Sequence, residues 1–431
     1  MLILRAIALS GFIFAIFTGL LGTQVGNRNF SIIMVWILWW AALILMVVPV
    51  LGRGWCAVCP IPMPGEWLQN GAVLSPKHGS KKSISGRRFP KIFRNIWLQN
   101  GAFSLMAIFS AVILTRPQVT AWILLSMIVV AVATSTRFER RSFCRYMCPV
   151  GGFIGLYAQL APLELRVLDT KVCAGHKEKS CYRGNEDGYG CPWDVYPGGL
   201  TLNTNCGLCM ECLRTCEYDN LALNLRPLGS DLKKSRRRGL DESLKAFIML
   251  GSAIVYAAVM LGPWGMLKDA AYQIGSTAWL GYAGGLLFFT WGFLPGLFYI
   301  ATRAALKYFP SDQKPDQAFN NYATATLPLG LTAWIAFSIS FVFTNISYLG
   351  PILSDPFGWG WDLFNTAGLG WSPYMAKIIP MLQIGVIAGG LYWAGNVLQS
   401  IAVEHKAPQQ AWPLIIFCTL VSIGLLWLLV G

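Results

Sequence analysis

Charge is scarce in this chain. Asp, Glu, Lys and Arg make up 13% of its 431 residues, against 55% hydrophobic residues. Soluble domains carry about twice that charge, so an ordinary water-soluble globular protein is excluded. Histidine is scarcer still, with only His78, His176 and His405, none of them inside a long apolar stretch. A bis-histidine haem b within a membrane therefore has no ligands, and none is expected. Ionisable residues are also missing from the middle of every long apolar stretch. Pumps and ion-coupled transporters keep such groups at membrane depth, so pumping by this chain is disfavoured.

What fills the space instead is a series of apolar blocks of about the 20 residues that a helix needs to cross a lipid core. Nine are expected, near 3–22, 30–51, 96–114, 118–135, 244–263, 278–300, 325–344, 376–398 and 411–430. The first has one arginine and no clear small-residue cleavage site, so it reads as a retained helix. With the N-terminus inside, all but Arg28, Arg116, Lys268 and Lys377 of the 34 basic residues fall in inner segments. That asymmetry sets topology and puts the C-terminus outside. The net charge of +14 is then an orientation signal. The basic run from Lys233 to Arg238 sits just before a span, and no nucleic-acid partner is expected. The basic linker 73–95 reads as a solvated loop near anionic headgroups.

Eleven of the twelve cysteines fall on the expected inner side, where thiols stay reduced and disulfides are rare. Cys418 stands alone in the last block as a small apolar residue. Four others form the compact run Cys206-x2-Cys209-x2-Cys212-x3-Cys216, the spacing of bacterial ferredoxins that wraps a [4Fe–4S] cluster. Before it comes a stretched version, Cys173-x7-Cys181-x9-Cys191-Pro192. In two-cluster ferredoxins the last cysteine of each half serves the other half's cluster. Cys191, Cys206, Cys209 and Cys212 then hold cluster A. Cys173, Cys181 and Cys216 hold cluster B and are one ligand short. His176 or Asp187 supplies the fourth bond, or the cluster is a three-iron form, or another cysteine reaches in.

A unit used twice precedes this domain: an apolar hairpin, a basic residue, an aromatic, paired cysteines and a proline. It reads Arg53-Gly54-Trp55-Cys56-x2-Cys59-Pro60 the first time and Arg141-Ser142-Phe143-Cys144-x3-Cys148-Pro149 the second. Two pairs give the four thiolates of one further cubane, if they converge. A redox-active dithiol and a transient metal relay are the other readings. The hexapeptide Trp-Leu-Gln-Asn-Gly-Ala also occurs twice, at 67–72 and 97–102. After Pro149 a short apolar stretch reads as an interfacial helix. In the later spans Gly281/Gly285, Gly292/Gly296 and Gly385/Gly389 suggest close helix packing within the chain or against another subunit. Gln383 and Asn396 read as buried polar groups that form interhelical hydrogen bonds or bind a quinone head group. The loop 345–375 is rich in aromatics and reads as an interfacial anchor or a docking surface.

The expected fold is an all-α integral membrane protein with about nine transmembrane helices and a small ferredoxin-like iron–sulfur domain inserted on the cytoplasmic side. Residues 1–162 carry the two hairpins, 163–232 the iron–sulfur domain and 233–431 a five-helix membrane domain. Through Cys56-x2-Cys59-Pro60, Cys144-x3-Cys148-Pro149 and the run 206–216, residues 30–225 resemble the membrane ferredoxin-type (polyferredoxin) quinol dehydrogenases of the NapH/NosR type. That resemblance implies two or three [4Fe–4S] clusters and electron transfer from quinol toward an extracytoplasmic redox subunit, in the plasma membrane of a bacterium or archaeon. An assembly or metal-handling factor for a respiratory oxidase or reductase, or a scaffold with a structural or sensory cluster, is the alternative. The first pair here is C-x2-C-P where that family has C-x3-C-P. Nothing resembles the flavin-attachment domain of its NosR branch, and the last five spans exceed what its NapH branch has.

Overall fold

The computed structural model describes residues 2–70, 87–233, 238–262 and 264–430. Most of the basic linker 73–95 and of the run 233–238 lies outside the described residues. The chain is 68% helical with almost no sheet. Among the described residues, eight helices are long and apolar enough to cross a membrane: Ile3–Leu21, Phe30–Leu51, Pro117–Arg137, Leu240–Met260, Thr277–Tyr308, Pro315–Ser354, Ile379–Glu404 and Pro408–Val430. By length and composition this is a multi-pass membrane protein. The remaining expected span, 96–114, is helical but interrupted. Trp97–Ile108 and Ser110–Ile113 are separated at Phe109, where ψ is 5°. Neither proline nor glycine marks that break.

The chain divides into two compact units. The first comprises residues 1–17, 46–102 and 121–231; the second comprises 18–45, 103–120 and 232–431. The second unit is a helical core packed around large aromatics. Trp334 is buried and donates its indole N–H to the Met249 carbonyl at 3.0 Å, with Trp40 edge-on at 5.6 Å. Such donors need partners where water is absent. Gln383 is buried and donates to the Ala336 carbonyl at 3.0 Å, an interhelical bond. Asn396, by contrast, is exposed, on the side of Ile379–Glu404 opposite the buried Ala394, Val397 and Leu398.

The expected glycine seams are also corrected. A Cβ added at Gly281, Gly285, Gly296, Gly385 or Gly389 meets nothing within 4 Å, and one at Gly292 meets only the Phe288 ring at ordinary contact distance. The close approach lies one residue on, at Gly390, where a Cβ would be 1.9 Å from Thr332 Oγ1. Cys418 is fully buried, as a small apolar residue should be.

The first unit holds the other eleven cysteines. A two-stranded antiparallel ribbon, β1 (Leu163–Val167) and β2 (Leu221–Leu225), pairs Leu163 with Leu225 and Val167 with Leu221. It ties together the two ends of the segment that carries Cys173 to Cys216. An ion-pair group reinforces the tie. Arg226 bonds Asp231 and lies 3.2 Å from Glu164, which Arg166 also reaches at 3.2 Å. The helix Pro149–Tyr157 is buried nearly all round, so it is an internal element and not an interfacial one. An apolar stripe on every face is what a buried helix requires.

Candidate metal centre

The repeated units end in short turns that bury their cysteines. After Leu51 the chain leaves its helix at Gly52, whose φ of +55° is left-handed and whose added Cβ would press on Ala158 at 3.0 Å. A short 3-10 turn, Gly54–Ala57, then carries Cys56. In the second unit, Ser142–Tyr146 carries Cys144, and Cys148 caps the helix Pro149–Tyr157. Proline suits that first helical position because its missing N–H would be unpaired there anyway. The Cys148 sulfur accepts the Gly151 N–H at 3.2 Å.

The two units lock together by exchanging arginines. Arg53 Nη2 donates to the Cys144 carbonyl at 3.1 Å, and Arg141 Nη1 donates to the Cys56 carbonyl. Each half's basic residue thus grips the first cysteine of the other half. Arg141 is buried; burial opposes its charge, but its ion pair with Glu66 outweighs this and holds it firmly protonated. Arg5 shares Glu66 at 3.0 Å. The repeated hexapeptide finds its purpose here. Gln69 Nε2 donates to the carbonyls of Ser135 (2.9 Å) and Phe138 (2.8 Å), and Gln99 Nε2 to those of Cys144 (3.3 Å) and Arg145 (2.9 Å). Both glutamines brace the loop that delivers the second cysteine pair.

The cysteines form three neighbouring sets. Cys59 is pushed far up by burial and then by Cys56 and Cys148. Cys144 is raised by burial and then by Cys148, with Arg141 opposing, and Cys59 and Cys56 add to the rise. Cys148 is pushed up to about 11 by burial, while the Gly151 N–H and Arg53 pull it down. Charge on one of these thiols acts on the others, and the exchanged Arg53 and Arg141 hydrogen bonds set the two cysteine turns beside each other.

The second set is Cys191, Cys206, Cys209 and Cys212, which together line one small cavity with Trp193, Leu165 and Gly207. Burial pushes Cys209 up to about 12 against the charge of Arg141, with Cys191 and Cys206 adding to the rise. Cys212 is raised by burial and then by Cys209, Cys206, Cys191 and Cys181. Leu208 and Met210 adopt left-handed backbone, φ 47° and 62°, conformations that turn N–H groups toward an anion. The N–H groups of Leu208 and Glu211 hold down Cys206 and Cys209 respectively.

The third set is Cys173, Cys181 and Cys216. Cys181 is pushed up to about 11 by burial, then by Cys216 and Cys173. His176 Nδ1 lies 2.7 Å from the Val172 carbonyl, and its ring stacks on Tyr218 at 4.5 Å. Asp187 is exposed, and its carbonyl is held by Arg214.

Trp193 links the first two sets. It is 2% exposed, with the Arg53 guanidinium over its ring at 4.2 Å and that of Arg141 at 5.9 Å. Arg145 donates to its carbonyl at 2.6 Å, and the Arg141 N–H donates to the Pro192 carbonyl at 3.0 Å. A Cβ at Gly207 would fall 2.1 Å from Trp193 Nε1, so only glycine admits the ring. Trp193, Asn220 and Tyr196 were not legible as site residues. The one signal was the position of Trp193, directly after Cys191-Pro192.

The fit to iron–sulfur clusters rests on this donor chemistry. Burial pushes up the thiols of Cys59, Cys144, Cys148, Cys181, Cys206, Cys209 and Cys212, so a cationic core that takes them as thiolates relieves that penalty. Backbone N–H groups already point at Cys148, Cys206 and Cys209, as cluster sulfurs require. Among the described residues, no three His, Cys, Asp or Glu side chains lie close enough to hold a single metal ion.

Two segments, 32–82 and 120–166, match the family model described as a 4Fe-4S binding domain. Each contains one apolar span and its cysteine pair, so the match falls on the two repeated units and leaves Cys173–Cys216 outside it. No curated protein and no solved structure matches the chain. The matched segments and the thiol sets together support an iron–sulfur protein built into a membrane.

Proposed function

We propose that this chain is a membrane-bound electron-transfer subunit that exchanges electrons between the quinone pool and a partner redox protein, in the plasma membrane of a prokaryote, with its N-terminus and cysteine sets on the cytoplasmic side. The observation that carries the reading is the continuity of the three sets. Arg53 donates to the Cys144 carbonyl of the first set and lies over Trp193, which lines the cavity of the second. Cys181 and Cys216 of the third set share one apolar cluster with Cys206 and Cys212, so each set adjoins the next. A structural or sensory cluster needs no neighbour; a path for electrons does.

Bound [4Fe–4S] clusters supply one-electron chemistry. The chain's own residues bury the sets, exclude water and fix the local charge. Arg141 opposes the negative charge of Cys59, Cys144 and Cys209, and Arg53 that of Cys148 and Cys206. Positive charge beside a cluster favours its reduced form. Quinone and an extracytoplasmic redox subunit are the proposed partners, following the resemblance to quinol dehydrogenases.

The test is anaerobic purification followed by iron and acid-labile sulfide analysis and an EPR-monitored redox titration, with a quinol analogue as reductant. Several clusters reduced by the analogue support the proposal. A single redox-inert cluster, or bound copper or zinc, overturns it.

A further inference from the structure

Trp193 is 2% exposed and lines the same cavity as Cys191, Cys206, Cys209 and Cys212. Its indole N–H is buried and meets no acceptor among the described residues. Of the residues that line this cavity, it alone has a buried side-chain nitrogen or oxygen in that state. We propose that the Trp193 N–H donates a hydrogen bond to a sulfur of the cluster held there, and so raises the potential at which that cluster accepts an electron. This rests on the reading of the thiol sets as cluster sites and goes beyond it in naming a residue that tunes one of them.

The indole meets the Cys206–Cys209 loop with its nitrogen edge. A Cβ built on Gly207 would stand 2.1 Å from Nε1, 2.5 Å from Cε2 and 2.9 Å from Cζ2, so the nitrogen is the ring atom closest to that position. Glycine leaves no side chain between the N–H and the residue that follows Cys206. The ring is held in this pose from its face and from its own backbone. The Arg53 guanidinium lies over it at 4.2 Å while donating to the carbonyls of Thr204 and Cys144. Arg145 donates to the Trp193 carbonyl at 2.6 Å.

A buried N–H without an acceptor is costly, and folded proteins rarely leave one. Indole nitrogen donates and does not accept, so the partner it lacks is an acceptor. The sulfides and thiolates of an iron–sulfur cluster are anionic acceptors, and the four cysteines around the cavity would bring them to this place. A hydrogen bond to such a sulfur favours the reduced, more negative cluster. Reduction adds one electron to the cluster, and the proton stays on the nitrogen throughout.

Trp193→Phe keeps an aromatic ring and removes the N–H. EPR-monitored titration of the anaerobic protein with dithionite should show a lower midpoint for one cluster and unchanged midpoints for the others. ENDOR spectra of protein grown on tryptophan with an isotopically labelled indole nitrogen add a direct readout. That cluster should couple to the labelled nitrogen and to an exchangeable proton, and both couplings should vanish in Trp193→Phe. An unchanged midpoint, or no nitrogen coupling in the unmodified protein, overturns the inference and leaves the proposed function standing. Nitrogen coupling at a cluster that a quinol analogue does not reduce supports the inference and counts against the proposed function. Protein without iron or sulfide overturns both. If Trp193→Phe fails to hold its cluster, the nitrogen coupling in the unmodified protein decides.

Discussion

Replacing Gly207 with alanine tests the contact on which the second cysteine set depends. The added methyl would stand 2.1 Å from Trp193 Nε1 and 2.5 Å from Cε2. The ring cannot retreat, because it is 2% exposed and carries the Arg53 guanidinium on its face. Overpacking of this kind costs about 1–3 kcal/mol. At about 1.4 kcal/mol per tenfold, the opened form gains about 5- to 150-fold in population. The assay is the rate at which a chelator strips iron from the anaerobic protein, with EPR identifying which centre is lost first. Gly207→Ala should accelerate loss at Cys191, Cys206, Cys209 and Cys212 by that factor. Gly175→Ala, where a Cβ meets nothing within 4 Å, should leave the rate unchanged. Trp193→Ala removes the ring that the methyl strikes, so in that background Gly207→Ala should add little further loss, a non-additivity expected of touching residues. Wild-type rates in Gly207→Ala, or simple additivity with Trp193→Ala, would refute the reasoning.

Other expectations follow from the same geometry. Arg141→Gln leaves Glu66 with Arg5 alone and frees the Cys56 carbonyl; loss of one partner of a buried pair costs about 3–5 kcal/mol, read as a lower temperature of cluster loss, and Glu66→Gln should restore part of it. Cys59→Ser and Cys148→Ser should abolish the same EPR signal, because both pairs serve one centre; two different missing signals would separate the pairs. Cys209→Ala should remove one cluster and electron transfer together, and full cluster content in that variant contradicts the assignment. In the apo protein, Cys181 ionises near 11 against 9.0 for an ordinary thiol. A raised value stabilises the fold below pH 9, and that contribution is lost as pH rises from about 9 to about 11. Apo melting temperatures should fall over that window, less so in Cys181→Ser.

The parts legible in the sequence were those governed by local pattern. Apolar runs and the two repeated cysteine motifs are written in consecutive residues, and eight of the nine expected spans are continuous helices. The break at Phe109 left no trace because no proline or glycine produces it. The convergence of Cys56 and Cys59 with Cys144 and Cys148 depends on arginines reaching across 85 and 91 residues of chain, which no spacing rule reports. The hexapeptide repeat was visible, but its purpose was not, since Gln69 and Gln99 act on carbonyls far along the chain. The glycine pairs misled about packing within the chain: the local spacing was present, yet among the described residues no neighbouring helix meets Gly281, Gly285, Gly296, Gly385 or Gly389.

Trp193 also bears on how a partner must behave. An indole held between guanidinium groups from both halves of a duplication anchors the ferredoxin-like segment in place. Such a segment cannot swing on a tether and carry charge from one station to another, as mobile domains of some electron-transfer chains do. Traffic has to arrive at a fixed terminal. Natural variation in donor specificity should therefore fall on the outward residues around Cys173 and Cys216, and leave the anchored side alone.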